Sequence, residues 1–558
     1  MIILHDSQGT TDLTHIQAMA EMEEGFASLD YVSINQQDGK TWIGQVIQPN
    51  RNISTVSGPL DSTVRHGLKL MQSNPDVQSV ESVQVFDILI LGEYDERQLL
   101  TLRVRPLPGA TVDKLDAETT NRVIGTPQKA EHQDGSFNVI GELLNADDVP
   151  LCIDKRRFNH HIMIAGGTGS GKSNVAANLI DQAVKFEKCV LVHDAKPDYR
   201  LIKAENSDPN VETIWERFST HGLEPRPANN VIRIGFYNRC DPDNVDVVVG
   251  FHASDFSPSM LAGLFFTGSN EQLQFEGFVS AADSLRDQKQ SGSIESYSLN
   301  NILEVVRERM GAEDPLIQIN DLVGRAILRK VNTRRRGMPW LDAAGLTTGR
   351  QTNRSRVAPS PLIQSQNQKV QAFNLDQTIE KGRILVIDYG YMDDDESYAL
   401  ILSYFLRICQ SYRKSSGEVG IVQMVDEAHR IFDNESRHSD TLARSFSRSM
   451  REGRSVDHSI ILSLQNASQI HQLVMNNLNS HIVMRQNSKG EAASATQKMG
   501  SEYSAQALQL GTGHALVKMF ESTVTVLAQM APSPFELMRP DNSGTDDSNV
   551  FFEDDDSE

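Results

Sequence analysis

Cysteine is scarce in this chain: four residues, Cys152, Cys189, Cys240 and Cys409, are scattered through 558. No pair has the spacing of a metal knuckle and no disulfide framework emerges, so a reducing cytoplasm is the expected setting. Long hydrophobic runs are also missing. None approaches the roughly eighteen apolar residues that would mark a membrane span. Met1-Ile2-Ile3-Leu4-His5-Asp6 lacks the basic start and long apolar core of a secretory leader. Positive charge is in deficit, with 53 Lys and Arg against 74 Asp and Glu and a formal net charge of −21. Such a balance argues against a surface that coats nucleic acid generally, though a basic pore inside an acidic protein stays open. Residues 541–558 hold eight of the acids and no base, leaving −13 on the remainder. The histidines show no metal-ligand spacing, and His160-His161 read as packing or interface residues.

Against these absences stands one dense motif. Gly166-Gly167-Thr168-Gly169-Ser170-Gly171-Lys172-Ser173 has the form G-x-x-x-x-G-K-[ST], the phosphate-binding loop. The apolar run His161-Ile162-Met163-Ile164-Ala165 precedes it as a strand, and Asn174 to Phe186 follows with helical spacing at Val175, Leu179, Ile180 and Val184. Glycines let backbone N–H groups curl round a polyphosphate, and the helix N-terminus adds partial positive charge. Residues Gly166 to Asn174 are therefore expected to bind ATP, with Lys172 on the β- and γ-phosphates and Ser173 on Mg²⁺.

Hydrolysis needs a second half. Ile421-Val422-Gln423-Met424-Val425-Asp426-Glu427-Ala428-His429 reads as a buried strand ending in two carboxylates. Asp426 would hold the Mg²⁺ and Glu427 would act as general base on water. The next strand, Ser459 to Leu464, ends in Gln465, placed to contact the γ-phosphate as a sensor. Arg448-Ser449-Met450-Arg451-Glu452-Gly453-Arg454 offers Arg451 or Arg454 as a guanidinium supplied to a neighbouring subunit. Arg485 is a further nucleotide-site candidate that reads equally as an ion-pair partner. Asp194, closing Val190-Leu191-Val192-His193, fits the nucleotide site, a subunit boundary or a plain cap.

The organisation is an α/β core behind a β-rich segment. Residues 1–25 read as helical, and 26–110 as a small β-barrel with a helix around 62–72. Residues 111–160 read as a linker, 161–535 as the ATPase core, and 536–558 as an acidic disordered tail. Strands are expected at 161–165, 189–193, 231–236, 383–388, 420–425, 459–464 and 480–485, a mostly parallel sheet. An insertion at about 255–370 is helical first and basic later. Its second part, Arg329 to Arg356, carries eight Lys and Arg and one acid. Arg334, Arg335 and Arg336 there, with Arg437 further on, are the candidate DNA contacts, read equally as solvated loop charge.

In their order these motifs resemble the HerA/FtsK group of hexameric DNA-pumping ATPases, nearest the HerA branch. The residues that carry the resemblance are His161 to Ser173, Val190 to Tyr199, Asp426-Glu427-Ala428-His429, Arg451-Glu452-Gly453-Arg454, Gln465 and Arg485. The resemblance implies a RecA-like core behind a small barrel, a homohexamer with ATP sites between subunits, and duplex DNA in the pore. It also implies a partner: a nuclease of the NurA type, or a nuclease or sirtuin-like NADase effector in anti-phage defence. Two departures stand out. His160-His161 replaces the family's usual Arg-His, and Ser455-Val456-Asp457-His458 is less basic than usual. Two alternatives accompany the motor reading: an ATP-regulated scaffold that activates an effector, and a conjugative secretion ATPase.

Overall fold

A computed structural model describes residues 2–3, 14–21, 25–54, 82–96, 99–124, 137–146, 148–241, 243–268, 270–314, 317–344, 370–392, 394–415, 417–432, 439–522 and 524–538. The N-terminal part is antiparallel throughout. Strands β1 (Ile2–Ile3), β2 (His15–Glu21), β3 (Tyr31–Asn35), β4 (Thr41–Ser54), β5 (Ser82–Tyr94), β6 (Leu99–Leu100) and β7 (Thr111–Lys114) share one sheet in the order β2-β1-β7-β3-β4-β5-β6. Because β2 also pairs with β5, from His15 opposite Leu89 to Glu21 opposite Val83, the sheet closes into a barrel. Alternate side chains point inward, so Val32, Ile34, Trp42, Val46, Phe86, Ile88 and Val112 form a core of their own.

The barrel agrees with the sequence, with corrections around it. Residues 15–21, expected to be helical, are a strand: Ile16, Ala18 and Ala20 enter the barrel core, and pairing with β5 overrides the helical preference of Ala and Met. Thr111–Lys114, expected in a linker, lies between β1 and β3 as a barrel strand. The same stretch also supplies two strands to the second sheet. The helix expected around 62–72 and residues 539–558 of the acidic tail lie outside the described residues.

The second sheet contains β8 (Phe137–Leu143), β9 (Pro150–Asp154), β10 (Ile162–Ala165), β11 (Cys189–Asp194), β12 (Val231–Phe236), β13 (Val247–Gly250), β14 (Gln371–Ala372), β15 (Ile384–Asp388), β16 (Ile421–Val425), β17 (His458–Leu464), β18 (Ser480–Met484), β19 (His514–Lys518) and β20 (Val526–Met530). Their order is β14-β13-β12-β15-β11-β16-β17-β10-β18-β19-β20-β8-β9. From β14 to β18 every neighbour is parallel; from β18 to β9 every neighbour is antiparallel. Near-continuous apolar strands belong here because both faces are covered. Met163, Ala165 and Leu191 pack into one core, whereas Ile162, Ile164, Val190 and Val192 pack into another on the opposite face. Helix α1 (Lys172–Lys185) supplies Val175, Leu179 and Ile180 to the second core.

The insertion forms helices α2 (Pro258–Phe265), α3 (Gln272–Gln290), α4 (Leu299–Met310) and α5 (Asp321–Arg334). Phe265, Phe278, Ile302, Ile327 and Trp340 join them to the main core, so the insertion is part of the motor body. Helices α6 (Asp395–Ser415) and α7 (Ser439–Gly453) complete the layer. Barrel and core meet through buried polar contacts. Gln45 Nε2 donates to the Thr525 carbonyl at 3.1 Å, and Tyr503 Oη donates to Gln45 Oε1 at 2.8 Å. Among the described residues no helix is long and apolar enough to cross a membrane.

Candidate nucleotide site

Parallel strands carry their C-terminal ends to one edge, and the residues just past each strand gather there. Gly166–Ser173 leaves β10, Asp194 closes β11, Asp426-Glu427 follows β16, Gln465 follows β17 and Arg485 follows β18. The next strand in sequence after β10 lies to one side of it, with β18 on the other, so the loop sits where the strand order changes sides, the position at which open α/β sheets bind ligands. The strand ending in Gln465 lies between the loop strand and the carboxylate strand. Sheet order thus brings together groups up to about three hundred residues apart.

The phosphate loop is built by backbone conformation. Gly169 and Gly171 have φ of +73° and +106°, a region that penalises any side chain, and Gly171 caps α1. Lys172 is buried, and its Nζ donates to the carbonyls of Gly166 at 2.8 Å and Gly167 at 3.0 Å. Burial lowers its pKa, while Glu427 and Asp426 act in the other direction. Gly167 N donates to the Arg485 carbonyl at 2.7 Å, so the β18 end braces the loop through its backbone.

Glu427 adopts a left-handed backbone with φ +48°, a conformation that costs a non-glycine residue roughly 1–2 kcal/mol. It is held by three neighbours: Gln465 Nε2 donates to Oε1 at 2.6 Å, Lys196 Nζ lies 2.8 Å from the same oxygen, and His429 Nε2 lies 3.3 Å from Oε2. Asp426 is 4% exposed, and its Oδ2 has no hydrogen-bond partner among the described residues. Burial first, then Glu427 and Asp198, raise its pKa to about 7. Asp194 is wholly buried. Its Oδ2 accepts the Tyr199 N–H at 3.3 Å, its Oδ1 has no partner among the described residues, and burial with Asp388 and Asp426 nearby raises its pKa well above the usual range.

The loop, both carboxylates, Gln465 and the Arg485 backbone therefore converge. Arg451 and Arg454 do not. Arg451, in the last turn of α7, and Arg454, in the turn that follows, precede the amino end of β17. The seven residues of that strand, at about 3.3 Å each, place its amino end about 20 Å from Gln465. His161, at the amino end of β10, marks the same far edge. Its Nδ1 accepts the Ile460 N–H at 3.1 Å and its Nε2 donates to the Met450 carbonyl at 2.6 Å. His161 is thus a satisfied core residue, and His160 stacks on Phe520 with ring centroids 3.4 Å apart. Arg451 is exposed, whereas Arg454 Nη2 donates to the Asn477 carbonyl at 3.3 Å.

The candidate DNA contacts fare differently. Arg334 Nη1 donates to the Leu264 carbonyl at 2.7 Å, tying α5 to α2, and Arg335 Nη1 donates to Asn300 Oδ1 at 2.7 Å. Those two guanidinium groups thus make hydrogen bonds within the insertion, whereas Arg336 is exposed. Arg437 lies outside the described residues. Sequence reasoning also overlooked Lys196 and Asp198. Both stand in the run Val190 to Tyr199, immediately past a buried strand end, and that position was the available signal.

Residues 138–409 match the family described as "Helicase HerA, central domain". The core is that of a HerA-like P-loop ATPase. A probable helicase of Methanocaldococcus jannaschii is 26% identical over 219 residues, covering 37% of this chain and 39% of that protein. The DNA double-strand break repair helicase HerA of Saccharolobus solfataricus is 19% identical over 399 residues, covering 69% of this chain and 66% of that protein. The chain thus spans from about two fifths to two thirds of the length of these curated relatives. Among solved structures, VirB4 of Thermoanaerobacter pseudethanolicus aligns over 72% of this chain and 98% of its own, with TM-score 0.48 and 11% identity. The plasmid coupling protein TrwB aligns over 76% and 95%, with TM-score 0.47 and 11% identity.

Proposed function

We propose that this HerA-like chain hydrolyses ATP with Mg²⁺, assembles as a ring, and moves or grips duplex DNA together with a nuclease or defence effector. The observation that carries the reading is the meeting of Lys172, Ser173, Asp426, Glu427 and Gln465 at one edge of the sheet, with Arg451 and Arg454 at the other. Oxygen donors suit Mg²⁺. Ser173 and Asp426 would hold it, and the buried, unpartnered Asp426 Oδ2 is the kind of atom a cation satisfies. An ion held there would supply positive charge against the phosphates. Lys172 neutralises the phosphates, Glu427 takes the proton from the attacking water, and Gln465 holds Glu427 in place.

The arginines complete a site only across a subunit boundary. About 20 Å from their own phosphate loop, Arg451 and Arg454 can serve a neighbour's nucleotide but not their own. A ring with one site at each joint meets that requirement.

DNA contact belongs to the same proposal, and it is tested by ATPase rate with and without long duplex DNA at low and moderate salt. Stimulation that fades with salt is the expected result, since phosphate contacts release counterions. A rate indifferent to DNA favours a second reading, an ATP-regulated scaffold for an effector. The net charge of −21 and the internal engagement of Arg334 and Arg335 speak for that alternative.

A further inference from the structure

The turn after β11 takes no part in the mechanism above, yet it touches both halves of it. Pro197–Tyr199 forms a single 3₁₀ turn. At one end Lys196 Nζ reaches Glu427 Oε1 at 2.8 Å. Two residues on, Asp198 Oδ2 accepts the Ser173 hydroxyl at 2.7 Å. The turn itself is fixed: Tyr199 is fully buried and its N–H is held by Asp194, which is also fully buried. Asp198 therefore has no need of Ser173 to order its own backbone. The contact works in the other direction, because it decides where the Ser173 hydroxyl points.

A serine hydroxyl has one proton to donate and two lone pairs to offer. A hydroxyl that ligates a cation must turn its proton away from it. In this chain the proton goes to Asp198, which leaves the lone pairs free on the other side. Groups behind a ligand that orient it in this way are as much a part of metal affinity as the ligand itself. Resting on the nucleotide-site reading above, we propose that Asp198 is a positioning residue for the divalent cation: by accepting the Ser173 proton it presents the Ser173 oxygen as a cation ligand.

The test is a titration of the full chain with a fluorescent ATP analogue, in EDTA and in Mg²⁺, comparing wild type, Asp198→Ala, Asp198→Asn and Ser173→Ala. The quantity read is the Mg²⁺-dependent gain in affinity. Asp198→Ala is expected to lose about tenfold or more of that gain while binding the nucleotide in EDTA as wild type does. Asp198→Asn keeps most of the gain, because its amide oxygen accepts the same O–H. In a Ser173→Ala background, Asp198→Ala adds no further loss, since the two residues act through one contact. A wild-type Mg²⁺ gain in Asp198→Ala overturns the proposal. So does an equal loss with and without Mg²⁺, which marks a merely structural role, or an Asn variant as weak as Ala. If Asp198→Ala does not fold, Asp198→Leu, which fills the space but cannot accept the Ser173 proton, replaces it in both backgrounds, with the same loss of Mg²⁺-dependent gain expected and a wild-type gain overturning the proposal. Wild type that binds nucleotide in neither condition sinks the nucleotide reading itself, a pattern distinct from any variant-only effect.

Discussion

At the scale of single residues, buried charge governs this site. Glu427 is the carboxylate with most contacts, shared among Gln465, Lys196 and His429. Its replacement by Gln keeps the shape and removes the base. Turnover is expected to fall about 10²–10⁴-fold, with ATP binding intact, as measured by steady-state hydrolysis beside equilibrium binding. Asp194 tests the cost of crowding. Its pKa is raised by burial and by Asp388, Asp426 and Asp198, so the folded protein holds a proton there that the unfolded chain has released. Its contribution is therefore full below the unfolded carboxylate pKa and is lost as pH rises towards the folded value. Asp194→Asn removes this dependence, so its advantage in Tm over wild type should grow between pH 5 and pH 8. An advantage that stays constant across that range contradicts the assignment.

At the scale of elements, β17 acts as a ruler. Its amino end lies beside Arg454 and its carboxyl end leads to Gln465, so one strand connects the arginine edge to the phosphate edge. Helix α7 holds the arginines in place through Met450, whose carbonyl is bound by His161. Arg451→Ala or Arg454→Ala should lower hydrolysis in the assembled protein by about 10³-fold or more for the arginine that acts, with nucleotide binding retained. Mixing that variant with Lys172→Ala subunits restores partial activity if the arginine serves its neighbour. No recovery in any mixture means that it does not. This distance was not legible in the sequence, where Arg451, Arg454 and Gln465 stand close together along the chain. Only the extended path of β17 separates them.

At the scale of the whole molecule, the barrel is joined to the motor by apolar side chains, Leu29 and Ile47 in one core and Tyr31 in the other, and by buried polar groups. Tyr503→Phe would leave Gln45 Oε1 without that donor at a buried joint, a loss of about 1–3 kcal/mol. Urea unfolding should show it as a lower midpoint, and limited proteolysis should show whether the barrel is released first. An unchanged midpoint would mean that the joint draws its strength from elsewhere.

Much of the core could be read from the chain because it is locally encoded. The glycine pattern of Gly166 to Ser173 has few uses, and long apolar strands such as Val190–Val192 and Ile421–Val425 admit one environment. Short segments carried no such signal. Ile16, Ala18 and Ala20 are strand residues only because β5 lies beside them, and Thr111–Lys114 only because β1 and β3 leave a gap that it fills. Composition and spacing alone determined that the chain carries a phosphate loop, a carboxylate strand and a barrel before them. The tertiary structure decided which charges are spent within the chain, as for Arg334 and Arg335, and which groups meet at the site, Lys196 and Asp198 among them. The physical reason is sheet order: hydrogen bonding between strands distant in sequence sets which ends share an edge, and no local pattern specifies that order.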